Sequence, residues 1–129
     1  MKLENQVCSL ELAKELKELG VGQDSIWIWI DWEKNRRNLP SDYGVYLTKL
    51  AEENSFYADR RIASAFTVAE LGEMLGRWGK PWLCNDEWIV DIRGGASGEV
   101  IKHTIKASTE ANARAKMLIY LIKEGLVKA

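Results

Sequence analysis

Six tryptophans, Trp27, Trp29, Trp32, Trp78, Trp82 and Trp88, stand in a chain of 129 residues. An indole plane can stack on a nucleobase or another flat ligand, and its N–H can donate a hydrogen bond. Cations accompany them along the chain. Arg36 and Arg37 follow the first group, Arg60 and Arg61 come next, and Arg77, Lys80 and Arg93 lie among the second. The forked donors of arginine suit phosphate or carboxylate. Aromatic planes interleaved with such cations predict a site for a small anionic or nucleotide-like ligand. Its candidate residues are Trp27, Trp29, Arg36, Arg37, Trp78, Lys80, Trp82 and Arg93. Each has a structural alternative: a tryptophan can be core packing, and a pair of arginines can be solvated surface.

Other chemistries fit less well. A phosphate-binding loop of the G-x-x-x-x-G-K-[ST] type fails at both ends, because Met74 stands where the first glycine belongs and Pro81 follows Gly79-Lys80. Arg93-Gly94-Gly95-Ala96-Ser97-Gly98 resembles the pyrophosphate loop of acyltransferases, but that loop must open a helix. Here β-rich residues follow, which predicts a hairpin turn. His103 is the single histidine and alternates with Ile101 and Ile105, so it reads as structural. A Cys–His dyad with Cys8 or Cys84 would require a proximity that spacing does not supply. Asp31/Glu33 and Asp86/Glu87 are paired carboxylates without an evident third metal ligand. A hydrolase built on Asp31, Glu33, Asp91 and His103 is the weakest reading. No catalytic residue, metal site or cofactor is expected.

The elements that must position these residues follow from periodicity and punctuation. Ser9 caps a first helix whose Leu12, Leu16 and Leu19 share a face, and Gly20 stops it. Ile26 to Trp32 alternates as a strand, with Ile26, Ile28, Ile30 and Trp32 on one face and Trp27, Trp29 and Asp31 on the other. Two apolar faces on one strand predict that one meets a helix layer and the other a partner chain or ligand. Val45-Tyr46-Leu47 is a second strand, and 50–64 reads as irregular. Thr67-Val68-Ala69-Glu70 is a capping box, with Phe66 and Leu71 as a hydrophobic staple, and Gly76 ends that helix. Residues 79–85 are a connection or short strand. Trp88–Ile92 and Val100–Ala107 form a hairpin. Ser108 or Thr109 caps a long final helix, with Ala111, Ala115, Leu118 and Ile122 as its stripe, widened by Met117 and Leu121, and Gly125 stops it.

The order α-β-β-(irregular)-α-β-β-α predicts a single α+β domain over 1–129, with an antiparallel sheet of about four strands and helices on one face. Eighteen basic against nineteen acidic residues leave a net charge of −1, which argues against general nucleic-acid binding. No apolar run is long enough to span a membrane. Two distant cysteines outside any C-x-x-C pair read as reduced thiols, with one long-range bridge as the alternative.

Three stretches, Val7-Cys8-Ser9-Leu10-Glu11-Leu12-Ala13-Lys14, the run from Ser64 to Leu75, and the run from Thr109 to Ile122, resemble a family of small proteins of bacteriophages and prophages. The resemblance lies in the three helices. It implies a phage origin and a location in the host bacterial cytoplasm, and it brings no catalytic motif. The expectation is therefore a non-enzymatic phage accessory protein that forms homo-oligomers. It would bind or sequester a small nucleotide-like ligand of host defence signalling. The alternative is an inhibitor or adaptor of a host protein acting by protein–protein contact.

Overall fold

Short-range hydrogen bonds delimit the helices in this computed structural model, which describes residues 2–31, 45–49, 61–78, 81–94 and 100–129. Helix α1 spans Leu10–Glu18, α2 Val68–Leu75 and α3 Glu110–Lys123. The Ser9 hydroxyl accepts from the Leu12 N–H, and the Thr109 hydroxyl, rather than that of Ser108, accepts from the Asn112 N–H. Thr67 and Glu70 complete a reciprocal capping box on α2. Both α1 and α3 end in Schellman motifs. Val21 N–H and Gly20 N–H return to the Leu16 and Lys17 carbonyls, and Leu126 and Gly125 return to Leu121 and Ile122. Gly20 and Gly125 sit there at φ 95° and 74°, a region that favours glycine.

Among the described residues six strands form two three-stranded antiparallel sheets, not one sheet of four. The first has the order β2-β1-β3, with β1 at Trp27–Asp31, β2 at Val45–Lys49 and β3 at Arg61–Ser64. The second has the order β4-β5-β6, with β4 at Trp82–Cys84, β5 at Glu87–Gly94 and β6 at Val100–Ala107. Strand β3 thus arises where the sequence reading had an irregular stretch, and β4 is the short strand that was one of the two readings of residues 79–85. Strand β3 is only four residues long and lacks clean alternation, so its sequence signal is weak. Strand β4 is joined to β5 by Asn85 and Asp86, both at positive φ (51° and 62°). Those angles fit the two-residue type I′ turn that matches strand twist.

One core joins the layers. Helix α3 contacts α1, α2, β5 and β6, while α1 packs on β3. Accordingly α3 buries more than a stripe, adding Ala113 and Ile119 to the expected face. Gly72 of α2 leaves room for the Arg114 guanidinium of α3, which would lie 2.7 Å from an added Cβ. Phe66, Leu71, Leu75, Met117, Leu118 and Leu121 are buried within this core.

The first sheet corrects the expectation of an apolar face awaiting a partner chain. Trp29 packs against the core, on the same face as Ala63, its cross-strand partner. On the opposite face Ile28 and Ile30 are only 4% and 6% exposed within the single chain. Ile28 and Ile30 are therefore not an open apolar face, while Ile26, just before β1, is 54% exposed and Trp32 lies outside the described residues. In the second sheet Ile92 pairs with His103 but Arg93 pairs with Ile101, so Lys102 is an extra residue on β6. The slip turns Ile101 to the outer face, away from His103 and Ile105, contrary to simple alternation. The His103 ring instead stacks on Tyr120 of α3, with centroids 4.3 Å apart and planes 4° from parallel.

Candidate functional site

A second bulge builds a cleft. Trp29 pairs with Ala63 and Ile30 with Arg61, leaving Ile62 as the extra residue of β3. The slip brings Arg61 onto the same sheet face as Ser64 and Ile28. Lys17, in the last turn of α1, reaches the bulge and donates from Nζ to the Ile62 carbonyl at 2.8 Å. Together with Gln23 and Ser25, these residues line a cleft of about 150 Å³.

The cleft has a polar floor and a cationic rim. Ser25 and Ser64 are buried, and Lys17, Gln23 and Arg61 are exposed. Its described lining residues include two cations and no carboxylate. Gln23 is fixed at both ends, since Oε1 accepts from Ser64 N–H at 2.7 Å and Nε2 donates to the Val21 carbonyl at 3.0 Å. Ser25 is likewise committed. Its hydroxyl donates to Glu70 Oε1 at 2.8 Å and accepts from Trp27 N–H at 3.1 Å. The same Glu70 oxygen accepts from Thr67 N–H at 2.9 Å, so the α2 capping box is also the support behind the cleft floor. Ser64 differs. Its hydroxyl is 98% removed from solvent with its residue, which is 2% exposed, and it has no hydrogen-bond partner. An unsatisfied buried hydroxyl costs about 1–3 kcal/mol, so its retention calls for a reason.

The residues singled out by type occupy other places. Trp29 donates from Nε1 to the Cys8 carbonyl at 3.2 Å, which commits its polar end within the fold. Trp27 is half-buried on the same strand face, and Trp78 is half-buried against the core. Trp82 and Arg93 are exposed and share the outer face of the second sheet by register, with Arg93 Nη2 3.9 Å from Asp91 Oδ2. Arg36, Arg37 and Lys80 lie outside the described residues, as do Trp32, Glu33 and Arg60. The described tryptophans are thus divided between two sheets and the turn after α2. Among the cleft residues only Arg61 stood out by type. Lys17, Gln23, Ser25 and Ser64 carried no spacing signal.

Both cysteines are free thiols, Cys8 buried and Cys84 exposed. Burial pushes the Cys8 thiol up from its ordinary 9.0 to about 11; the nearby Glu70 charge adds to the rise, and backbone N–H donors oppose it. An alkylating agent at pH 8 is therefore expected to modify Cys84 alone until the chain unfolds, as counted by intact mass. The raised value also gives a pH dependence. The unfolded thiol ionises first, so the Cys8 contribution is complete below pH 9 and declines as the pH approaches 11. Relative to Cys8→Ala, the native chain should lose about 2–3 kcal/mol across that window in denaturant titrations.

Among the described residues no group of three or more histidines, cysteines or acids is placed to hold a metal ion. No described helix is long and apolar enough to cross a membrane. Comparison of the chain with family models, curated proteins and solved structures finds no match.

Proposed function

We propose that this protein binds a small anionic ligand without transforming it, in the cleft between α1 and β3. The observation that carries the reading is that the described lining holds two cations, Lys17 and Arg61, together with the unpartnered Ser64 hydroxyl, and no carboxylate. Lysine supplies a mobile ammonium and arginine a planar fork, a pairing suited to an oxyanion. The described lining residues include no nucleophile–base pair, which favours binding over catalysis. With the resemblance to phage proteins, the reading extends to an accessory protein that sequesters an anionic, nucleotide-like signal in an infected bacterium.

Thermal unfolding tests it. A ligand that binds only the folded chain stabilises it by RT ln(1 + [L]/Kd), about 2.7 kcal/mol at a hundredfold excess over Kd. Small oxyanions, added at ionic strength held constant with chloride, should raise the Tm of the native chain. The same additions should not move the Lys17→Glu/Arg61→Glu variant. Equal responses from both proteins, or none from the native chain, would refute the assignment.

One observation favours a second reading, contact with a host protein. Trp82 and Leu83, both on β4, are 46% and 56% exposed, and among the described residues β4 is an edge strand. Exposed apolar side chains beside an unpaired edge suit β-augmentation by a partner. Leu83→Lys would then abolish capture of that partner and leave the response to anions intact.

A further inference from the structure

Helices α1, α2 and α3 run in one direction. At the amino end Ser9 N–H donates to Asn112 Oδ1 at 2.8 Å, and Val68 N–H donates to the Gln6 carbonyl at 3.2 Å. At the carboxyl end Lys123 Nζ reaches Glu15 Oε1 at 2.6 Å. The Schellman turn after α3 sends the tail back towards α1, so that Ala129 Cβ lies 3.7 Å from the Cβ position of Gly20. We infer that a cavity at this carboxyl end, separate from the anion cleft, binds a free amino acid with an apolar side chain.

The cavity measures about 280 Å³ and is lined by all three helical units. Met74 lies in the last turn of α2, Leu118 and Ile122 are one turn apart on α3, Val21 follows α1, and Val127 belongs to the tail. Leu118 and Val21 are buried members of the core, so the floor is fixed. The unbranched Met74 side chain, half-buried beside them, can adjust to an occupant. Pockets for drug-sized ligands measure about 300–1,000 Å³, so this one suits a smaller molecule.

The rim carries one charged group of each sign, Asp24 and Lys128. Neither side chain has a hydrogen-bond or ion-pair partner among the described residues. The Asp24 carboxylate folds back over Gly22, with Oδ2 3.1 Å from the position of an added Cβ, so the glycine makes room for it at the rim. The complement of such a site is a small molecule with an apolar body and two opposite charges on neighbouring atoms. A zwitterionic amino acid has that form. Its ammonium pairs with Asp24, where the carbonyl ends of three helices add negative potential. Its carboxylate pairs with Lys128, and its side chain enters among Met74, Leu118 and Ile122.

Calorimetric titrations of the full chain at pH 6.5, where an α-amino group is protonated, test the inference. The probes are leucine, glycine, N-acetyl-leucine and leucinamide. Leucine should bind. Glycine lacks the apolar side chain and should bind weaker by about tenfold or more. N-acetyl-leucine lacks the ammonium and leucinamide the carboxylate, so each should bind roughly fivefold more weakly than leucine. Asp24→Asn and Lys128→Gln lie at exposed positions, should fold as the native chain does, and should each weaken leucine binding by roughly the same factor. Absence of leucine binding overturns the inference. Glycine matching leucine would show that the apolar cavity is not used, and a blocked form matching leucine would show that the zwitterion is not the ligand class. Leucine affinity unchanged in both variants would place the site elsewhere, and each of these results overturns the inference too.

Discussion

Phe66→Ala is expected to lower the unfolding free energy by about 3–5 kcal/mol, the range for truncating a buried aromatic residue. Phe66 is fully enclosed and precedes the Thr67 cap, where it forms the staple with Leu71 one turn into α2. Its own carbonyl accepts from Cys8 N–H at 2.9 Å, so the amino-terminal segment is tied to the same point. Ser64 lies only two residues before it, which links the staple to the cleft floor. Urea denaturation is the measurement, with a shift in midpoint at little-changed slope marking a pure stability loss. Phe66→Leu, which refills most of the volume, should cost clearly less. A loss below about 1 kcal/mol for the alanine variant would contradict the placement of Phe66 at the centre of the core.

The second large effect is on binding. Arg61→Ala and Lys17→Ala should each weaken oxyanion binding by about tenfold or more, since a charge-assisted hydrogen bond contributes about 1.5–3 kcal/mol. The double variant should fall short of the product of the two, because both cations act on one anion. Both residues are exposed, so these substitutions should leave stability nearly unchanged. Ser64→Ala separates function from fold more sharply. It removes a buried hydroxyl without a partner, so the unfolding free energy should stay level or rise by about 1 kcal/mol. Affinity for the oxyanion should nevertheless fall. Gain in stability with loss of binding is the mark of a group kept for function. Denaturant titration and calorimetry on the same preparations would measure both.

Legibility in the sequence followed the range of the interaction that fixed each feature. Helix ends depend on a few neighbouring residues, and Ser9, Thr67, Thr109, Gly20, Gly76 and Gly125 all act where their types place them. The Phe66/Leu71 staple was visible for the same reason. Bulges depend on the facing strand, and alternation alone hides them. The extra Lys102 turned Ile101 outward, and the extra Ile62 brought Arg61 beside Ser64. The cleft was therefore out of reach from spacing, because its residues come from α1, the approach to β1 and a bulged β3. Tryptophan content pointed elsewhere, and Trp29 illustrates why: its N–H is committed to the Cys8 carbonyl. Division into two sheets was missed because β3 is short and because Asn85-Asp86 reaches the type I′ geometry without the glycine that usually signals it.

The most direct test of the cleft is an amide chemical-shift map of the isotope-labelled chain during titration with inorganic phosphate at constant ionic strength. Saturable shifts are expected at Lys17, at Gln23 and Ser25, and along Arg61–Ser64, and they should be absent from the Arg61→Glu variant. Shifts that never saturate, or that centre on the outer face around Trp82 and Arg93, would contradict the assignment of the cleft as the binding site.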